Sequence, residues 1–305
     1  MFVFVAAAAL AGGCSPRTLI AVDPDPCADG GRGPGCPDPC ADGGVINALP
    51  GCVPPGLLDD LIGYWRLDDA SGSTTARDWS GRGNDGTLAG NLDPTMAWVA
   101  GRAAGGLAVN ADGYVNVVPS PSIDSITNAV TVAGWAYLDG TIMDYATIAS
   151  REEAMTIEQH YHISIDGNEL PVLFCKTDVG GVRLTIRTTP PPVVRATWVH
   201  IAGTYDGMTA RLYFNGKQVD SQGLTGNFAP DTTPFILGAN GNGPDMGVSE
   251  RFPGLVDEIM LYRRALSAAE IAQLYDGVLF PSSSGVDSGT DASVRDAGAD
   301  GDARD

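Results

Sequence analysis

The chain has 305 residues, of which 44% are hydrophobic and 7% aromatic, and this content excludes an intrinsically disordered protein. Its glycines lack the three-residue period of collagen, and no apolar run in the sequence reaches the ~18–20 residues of a membrane-spanning helix. The net charge of −19, with Lys176 and Lys217 as the two lysines, argues against a protein that binds the phosphates of nucleic acid.

The amino terminus predicts an export signal. An apolar run from Phe2 to Leu10 is followed by small residues and Cys14, and the run is too short to form a stable membrane span. This segment resembles a bacterial lipoprotein signal, although it has Ala11 in place of the usual leucine and no basic residues before the run. The resemblance implies that residues 1–13 are removed, that Cys14 is lipidated, and that the protein is anchored at the outer membrane or cell surface. The alternative is an uncleaved apolar terminus with an ordinary cysteine.

Residues 14–56 are predicted to form a linker held by disulfides, because so few apolar side chains cannot form a core. A Pro-Cys-Ala-Asp-Gly-Gly segment occurs twice, at 26–31 and 39–44. Four cysteines allow three pairings, which the sequence does not distinguish. They are Cys27, Cys36, Cys40 and Cys52. A zinc site would need closer cysteine pairs or a nearby histidine. Cys175 lies in an apolar run and is predicted to be a lone thiol.

Residues 57–280 are predicted to form one all-β domain, because short apolar runs alternate with turns rich in Gly, Asp, Asn and Pro. The Asn215–Gly216 pair favours a type I′ hairpin. The predicted strands are Leu61–Leu67, Tyr114–Val118, Val130–Leu138, Gln159–Ile165, Val182–Arg187, Trp198–Tyr205, Leu212–Phe214, Phe235–Leu237 and Leu255–Tyr262.

One short helix is predicted near the end of this domain. Ser267 and Glu270 have the spacing of a capping box, and Ile271, Leu274 and Tyr275 follow on one face. Residues 281–305 contain mainly Ser, Gly, Ala and Asp and are predicted to be a disordered acidic tail, because they offer almost no apolar surface to bury.

Three stretches together resemble a known family. They are IGYWRLDDASG at 62–72 continued by RDWSGRGNDGTL at 77–88, TWVHIAGTYDG at 197–207, and FPGLVDEIMLYRRALS at 252–267. They resemble the laminin-G-like jelly roll of the concanavalin A-like lectin and glucanase superfamily. The resemblance implies an all-β fold of two antiparallel sheets packed face to face. It also implies a role in recognising sugars or extracellular proteins, in many members together with a calcium ion.

Four residues are candidate calcium ligands: Asp78, Asn84, Asp85 and Asp257. Calcium takes six to eight oxygen ligands, and a Gly-rich loop can supply backbone carbonyls as well as side chains. In the resembling domains the loop at 78–86 lies near the last strand, which holds Asp257. The alternative is that the loop side chains bond their own backbone and that Asp257 pairs with an arginine.

A second group of candidates lies on one predicted strand. Glu158, His160, His162, Ser164 and Asp166 share one face because side chains alternate along a strand. Two histidines near a carboxylate suit zinc or a polar ligand, and the alternative is a solvated strand face. Trp135 and Tyr137, on another strand, are candidates for stacking on a sugar ring, with core packing as the alternative.

The motifs favour a binding protein over an enzyme. The sequence has no Glu-x-Asp-x-Glu run that would place two catalytic carboxylates on one strand face, and no nucleophile elbow. The predicted function is a non-catalytic module at the cell surface that binds a glycan or another extracellular polymer. The alternatives are a protein–protein adhesion or scaffold domain and, third, a divergent polysaccharide hydrolase or lyase.

Overall fold

The structure is a computed structural model that describes residues 56–111, 113–153, 158–185, 192–230, 233–241 and 248–277. The predicted signal, the lipidation at Cys14, the linker cysteines and the acidic tail lie outside these residues. None of the helices in the described ranges is long and apolar enough to cross a membrane.

Strands dominate the described chain, and the three helices are short. In chain order the elements are β1 (Leu61–Trp65), β2 (Thr75–Ala76), β3 (Gly86–Gly90), α1 (Pro94–Ala97), β4 (Trp98–Ala103), β5 (Gly105–Ala108), β6 (Gly113–Val117), α2 (Pro121–Asp124), β7 (Val130–Leu138), β8 (Tyr145–Glu153), β9 (Glu158–Asp166), β10 (Pro171–Lys176), β11 (Gly181–Thr185), β12 (Trp198–Tyr205), β13 (Thr209–Phe214), β14 (Lys217–Gly223), β15 (Phe235–Leu237), β16 (Asn240–Gly241), β17 (Val248–Ser249), β18 (Gly254–Tyr262) and α3 (Ala268–Tyr275).

Two eight-stranded antiparallel sheets form the body of the domain. Sheet 1 has the order β14-β13-β12-β7-β18-β5-β4, with β1 also paired to β18. Sheet 2 has the order β11-β10-β9-β8-β15-β6-β3-β2. Neighbours in both sheets are often distant in sequence, as in a jelly roll. The predicted all-β fold of two packed antiparallel sheets is therefore confirmed.

The main hydrophobic core lies between the two sheets. Trp65 of sheet 1 stacks on Phe235 of sheet 2, with ring centroids 5.4 Å apart. Trp65 is fully buried, and its indole Nε1 donates to the backbone carbonyl of Asn84 at 2.9 Å. Gly63 provides the space for this indole, since a Cβ there would lie 2.2 Å from the ring. These contacts join the start of the domain to the core.

A second hydrophobic cluster covers the outer face of sheet 1. Helix α3 places Ile271 and Leu274 against this face, and Leu57 packs beside them. The predicted capping box is present, because Ser267 and Glu270 each accept a hydrogen bond from the other's backbone amide. The outer face of sheet 1 is therefore filled by protein. On sheet 2 the segment with β16 and β17 covers part of the outer face, where the Ser150 hydroxyl donates to the Ala239 carbonyl at 3.0 Å and the Thr147 hydroxyl to Glu250 Oε2 at 3.1 Å.

Candidate functional site

The loop that follows β2 uses its polar side chains to hold its own backbone. Asp78 Oδ1 accepts from the amides of Tyr64 and Ser80, at 3.0 and 2.8 Å. Asp78 Oδ2 accepts from the Asn84 amide at 2.9 Å and from the Ser80 hydroxyl at 2.8 Å. Asp85 in turn accepts from the Asp78 amide at 2.8 Å. This arrangement corresponds to the turn interpretation of the loop.

Asp257 lies elsewhere and is also satisfied by backbone amides. Its Oδ2 accepts from the amides of Arg102 and Ala103, at 2.7 and 3.1 Å, and its Oδ1 accepts from the Glu258 amide at 2.9 Å. Burial raises the pKa of Asp257 to about 8, although the amide donors oppose the shift. The alternative that Asp257 pairs with an arginine is wrong, because these partners are backbone groups.

The four predicted calcium ligands therefore do not form one ligand set. Each oxygen of Asp78 already accepts two hydrogen bonds, so a cation there would have to displace donors. Across the described residues, no three His, Cys, Asp or Glu side chains converge so that they could hold a metal ion. Calcium binding by the chain stays a prediction.

We expect any rise in melting temperature from EDTA to excess calcium to be equal in Asp78→Asn and in the unmodified protein, because the Asp78 carboxylate is already occupied by donors. Thermal unfolding followed by circular dichroism checks this, since a ligand that binds only the folded state raises the melting temperature. A rise that Asp78→Asn abolishes and Asp206→Asn preserves would restore the predicted ligand set. Asp206 is a suitable control because it also accepts backbone amides, from Met208 and Thr209.

The polar row on β9 faces outward from sheet 2, as its alternation predicts. Tyr161, Ile163 and Ile165 point into the core between the sheets, so the residues between them lie on the opposite face. The interpretation of this row as a solvated face is wrong, because its central residues are buried. These are His160, His162, Ser164 and Asp166, whereas Glu158 is described only by its place at the start of β9.

His162 lies at the centre of this row and packs beneath an aromatic ring. Its ring centroid is 4.4 Å from that of Phe174, its partner on β10. Burial, with a smaller effect of the Arg183 charge, lowers the pKa of His162 to about 3. The imidazole is therefore neutral at physiological pH and adds no charge to the outer face.

An aromatic platform, consisting of Tyr145, Phe174, Asp166 and Arg183, lies next to this histidine. The Tyr145 and Phe174 rings meet edge to face, with centroids 5.4 Å apart, and both side chains are half-buried. The guanidinium carbon of Arg183 is 5.7 Å from each ring centroid. Arg183 Nη2 forms an ion pair with Asp166 Oδ2 at 2.7 Å. The platform thus combines an accessible aromatic surface with one donor group and one acceptor group.

A cleft of about 250 Å³ opens where β9 begins and β10 ends. It is lined by His160, Lys176, Thr177, Asp178, Val179, Gly180 and Ala229. The turn on one side is fixed by hydrogen bonds, because the Thr177 hydroxyl donates to the Thr225 carbonyl at 2.7 Å and Asp178 Oδ1 accepts from the Asn227 amide at 2.8 Å. The cleft and the platform lie on the same face of sheet 2, at the two ends of β9.

The predicted stacking residues on β7 are placed differently. Trp135 is 3% exposed, because Tyr275 of α3 stacks on it at 5.5 Å and the Arg102 guanidinium lies 4.5 Å from its ring. Tyr137 is half-buried and packs on Trp198 at 5.5 Å. This packing corresponds to the structural alternative for Trp135, which has no open ring face for a sugar. The ligand-binding role of Tyr137 stays a prediction.

Three residues of the platform were not predicted from the sequence. Tyr145, Phe174 and Arg183 lie on three different strands, and only the pairing of β8, β9, β10 and β11 brings them to Asp166. A usable signal was the alternation in β10, where Leu173 and Cys175 point into the core and Phe174 therefore points outward.

Comparisons with known proteins agree with this fold. A family model described as the concanavalin A-like lectin/glucanases superfamily matches residues 109–272. No curated protein matches the sequence. Among solved structures, domain 4 of AbnA, an extracellular arabinanase from Geobacillus stearothermophilus solved in complex with arabinotriose, is 21% identical with a TM-score of 0.51. The match covers 71% of this chain and 98% of that domain.

Two further structures are similar over part of their length. The binding domain of Paraclostridial Mosquitocidal Protein 1 is 17% identical with a TM-score of 0.54, over 72% of this chain and 52% of that one. A mutant of Trypanosoma rangeli sialidase is 16% identical with a TM-score of 0.54, over 76% of this chain and 35% of that one. The chain therefore spans about half of the first and about a third of the second.

Proposed function

Because the chain belongs to the concanavalin A-like lectin/glucanase superfamily, we propose that it is a recognition module that binds a glycan along the outer face of sheet 2. The observation that carries this proposal is the aromatic platform, where the half-buried rings of Tyr145 and Phe174 lie beside the Arg183–Asp166 ion pair. Sugar-binding sites need this combination, because a sugar ring has an apolar C–H surface and a rim of hydroxyl groups.

The length of the face suits an oligosaccharide. His160 at the cleft and Asp166 at the platform are six residues apart on β9, a distance of about 20 Å at the rise of an extended strand. The similar arabinanase domain was solved with arabinotriose, which is itself an oligosaccharide. A short polysaccharide segment would therefore cover both ends of the proposed site.

We propose that the module is not catalytic. A glycosidase needs one carboxyl group to protonate the leaving oxygen and a second one to act as nucleophile or base. Asp166 is held by Arg183 and by the amides of Asn168 and Leu170. Glu250, which lies over the same face, accepts from Thr147 and Asn240 through one oxygen. Neither carboxylate has the free, paired arrangement that this chemistry uses.

The proposed setting is the exterior of a bacterial cell. The support is the apolar run from Phe2 to Leu10 with Cys14 after it, together with the four cysteines of the linker, since disulfides persist in oxidising compartments. A lipid anchor at Cys14 and a disulfide-bonded linker would hold the recognition domain away from the membrane.

We expect Phe174→Ala to weaken glycan binding by about tenfold or more, because the variant removes the ring on which the sugar would stack. A glycan array that includes arabinotriose identifies a ligand, and calorimetry then measures its affinity for both variants. Phe214→Ala is the matched control, because Phe214 is also a half-buried strand phenylalanine but lies on sheet 1. This control should bind like the unmodified protein.

Three results would contradict the proposal. An unmodified protein that binds no glycan would remove the function itself and favour a protein partner. Equal affinities for Phe174→Ala and Phe214→Ala would show that the site lies elsewhere. Release of new reducing ends from the bound polysaccharide would show that the module is catalytic.

A further inference from the structure

The Arg183–Asp166 ion pair indicates which class of sugar the proposed site would bind. This inference rests on the proposed function. Arg183 Nη2 and Asp166 Oδ2 are 2.7 Å apart, and the two side chains are 36% and 7% exposed. The guanidinium is therefore the more accessible member of the pair, and the carboxylate is largely buried. The Arg183 guanidinium carbon lies 5.7 Å from the centroids of Tyr145 and Phe174, so these rings help to shelter its ligand contacts from water.

Asp166 is held by more hydrogen bonds than Arg183. Asp166 Oδ1 accepts from the amides of Asn168 at 2.9 Å and Leu170 at 3.1 Å, so the turn after β9 fixes this carboxylate. Arg183 approaches from β11, two strands away, and reaches across β10. A guanidinium has five N–H donors, and in the described chain Arg183 directs one of them to a carboxylate. The remaining donors are available at the surface of the platform.

This donor and acceptor pair fits two adjacent hydroxyl groups. Each hydroxyl can donate one hydrogen bond and accept another, so one hydroxyl can accept from Arg183 while its neighbour donates to Asp166 Oδ2, the carboxylate oxygen that accepts only the Arg183 bond in the described chain. The C–H surface of the same ring would then pack on Phe174 and Tyr145. We infer that the platform selects a neutral sugar that presents a free vicinal diol, with Arg183 and Asp166 as the specificity-determining residues.

Charge favours a neutral sugar over an acidic one. The Arg183 and Asp166 charges cancel, and the buried imidazole of His162 beneath Phe174 is neutral. A carboxylated sugar would meet Asp166 directly and would also be repelled by the net charge of −19 on the chain. A uronic-acid polymer is therefore the class of glycan that this platform should reject.

The test uses Arg183→Gln and a matched control, Arg211→Gln. Arg211 forms a similar ion pair with Asp206, at 2.6 Å and with side chains 30% and 35% exposed, but it lies on sheet 1. The probes are arabinotriose and other neutral oligosaccharides that bind the unmodified protein, together with polygalacturonic acid. We expect Arg183→Gln to lose about tenfold or more in affinity for the neutral ligand, since it removes a charged donor. Arg211→Gln should change the affinity less than twofold, and polygalacturonic acid should not bind.

Each of the remaining outcomes distinguishes the vicinal-diol inference from the proposed glycan-binding function. If the unmodified protein binds a neutral glycan and Arg183→Gln binds it equally well, the diol inference is wrong and the proposed function stands. Preference for polygalacturonic acid would also overturn the inference while leaving a glycan-binding role. Binding of no glycan by the unmodified protein would overturn both. A melting temperature of Arg183→Gln equal to that of Arg211→Gln ensures that lost binding is not lost folding.

Discussion

Replacing Trp65 by alanine is expected to lower the free energy of unfolding by about 3–5 kcal/mol, the range for deleting a large aromatic side chain from a core. Trp65 is fully buried, stacks on Phe235 of the opposite sheet, and donates to the Asn84 carbonyl. The variant removes a contact that joins the two sheets and leaves a buried carbonyl without its donor. Because Gly63 has no side chain that could fill the space, the cavity would collapse only in part. Urea unfolding monitored by circular dichroism measures the loss.

Trp98→Ala is the matched control for this prediction. Trp98 also donates its indole N–H to a backbone carbonyl, that of Ser73 at 2.9 Å, but it is half-buried on the edge strand β4. The two substitutions delete the same atoms, so the difference between them measures burial. We expect the Trp98 variant to lose clearly less stability. Equal losses would show that the core between the sheets does not depend on the Trp65–Phe235 stack.

The strands that the sequence predicts best are those with a strong apolar pattern. Val130–Leu138, Trp198–Tyr205 and Phe235–Leu237 are observed with the predicted bounds. Their β-branched and aromatic residues are buried on one or both faces, so composition and burial point to the same element.

Other strands have no such pattern, and their own residues do not predict them. Strand β5, Gly105–Ala108, is rich in glycine and alanine. Strand β14, Lys217–Gly223, is polar and mostly exposed at the edge of sheet 1, so only the Asn215–Gly216 turn predicts it, and the hairpin between β13 and β14 is confirmed with both turn residues at positive φ. Their pairing with neighbouring strands determines their conformation, and pairing across the sheet is a tertiary property. The four-residue helices α1 and α2 are likewise too short to show a helical period.

The candidate site was predictable only as a set of residues on one strand. Alternation places His160, His162 and Asp166 together, and the structure confirms that they share a face. Their burial depends on residues distant in sequence, such as Phe174, which covers His162. The same limit applies to Arg183, whose partner Asp166 lies two strands away. These contacts depend on the register in which the strands pair, and the residue pattern of a single strand does not specify that register.

The second prediction with a large expected effect concerns the pH dependence of stability and rests on a cluster of buried acids. Glu258 and Asp257 are adjacent on β18, both are buried, and Glu258 has a left-handed backbone with φ of 51° at a bulge in the strand. The Tyr64 hydroxyl donates to Glu258 Oε2. The nearby Arg66 is paired with Asp68 at 2.6 Å. Burial, and next the charge of Asp257, raise the pKa of Glu258 well above its usual value.

The sign of the pH dependence follows from these raised pKa values. In the unfolded chain both acids lose their protons near their ordinary pKa values of about 4, whereas the folded protein retains protons until pH approaches the raised values, about 8 for Asp257. Above pH 4 the unfolded state therefore binds fewer protons than the folded state. The stabilisation from these groups is fully present below pH 4 and is lost as pH rises toward 8, with a slope of at most about 1.4 kcal/mol per pH unit for each proton.

We expect Glu258→Gln to flatten this decline, because the amide keeps an acceptor for the Tyr64 hydroxyl and cannot ionise. Urea midpoints at several pH values between 5 and 8 measure the effect, and the variant should gain on the unmodified protein as pH rises. Glu270→Gln is the opposite control, since hydrogen bonds from Arg264 and Ser267 lower the pKa of Glu270 and its stabilisation is lost as pH falls. Parallel curves for Glu258→Gln and the unmodified protein would show that Glu258 is ionised in the folded state. The same Glu-to-Gln substitution is therefore expected to change the pH dependence of stability in opposite directions at the buried acid pair and at the surface helix cap.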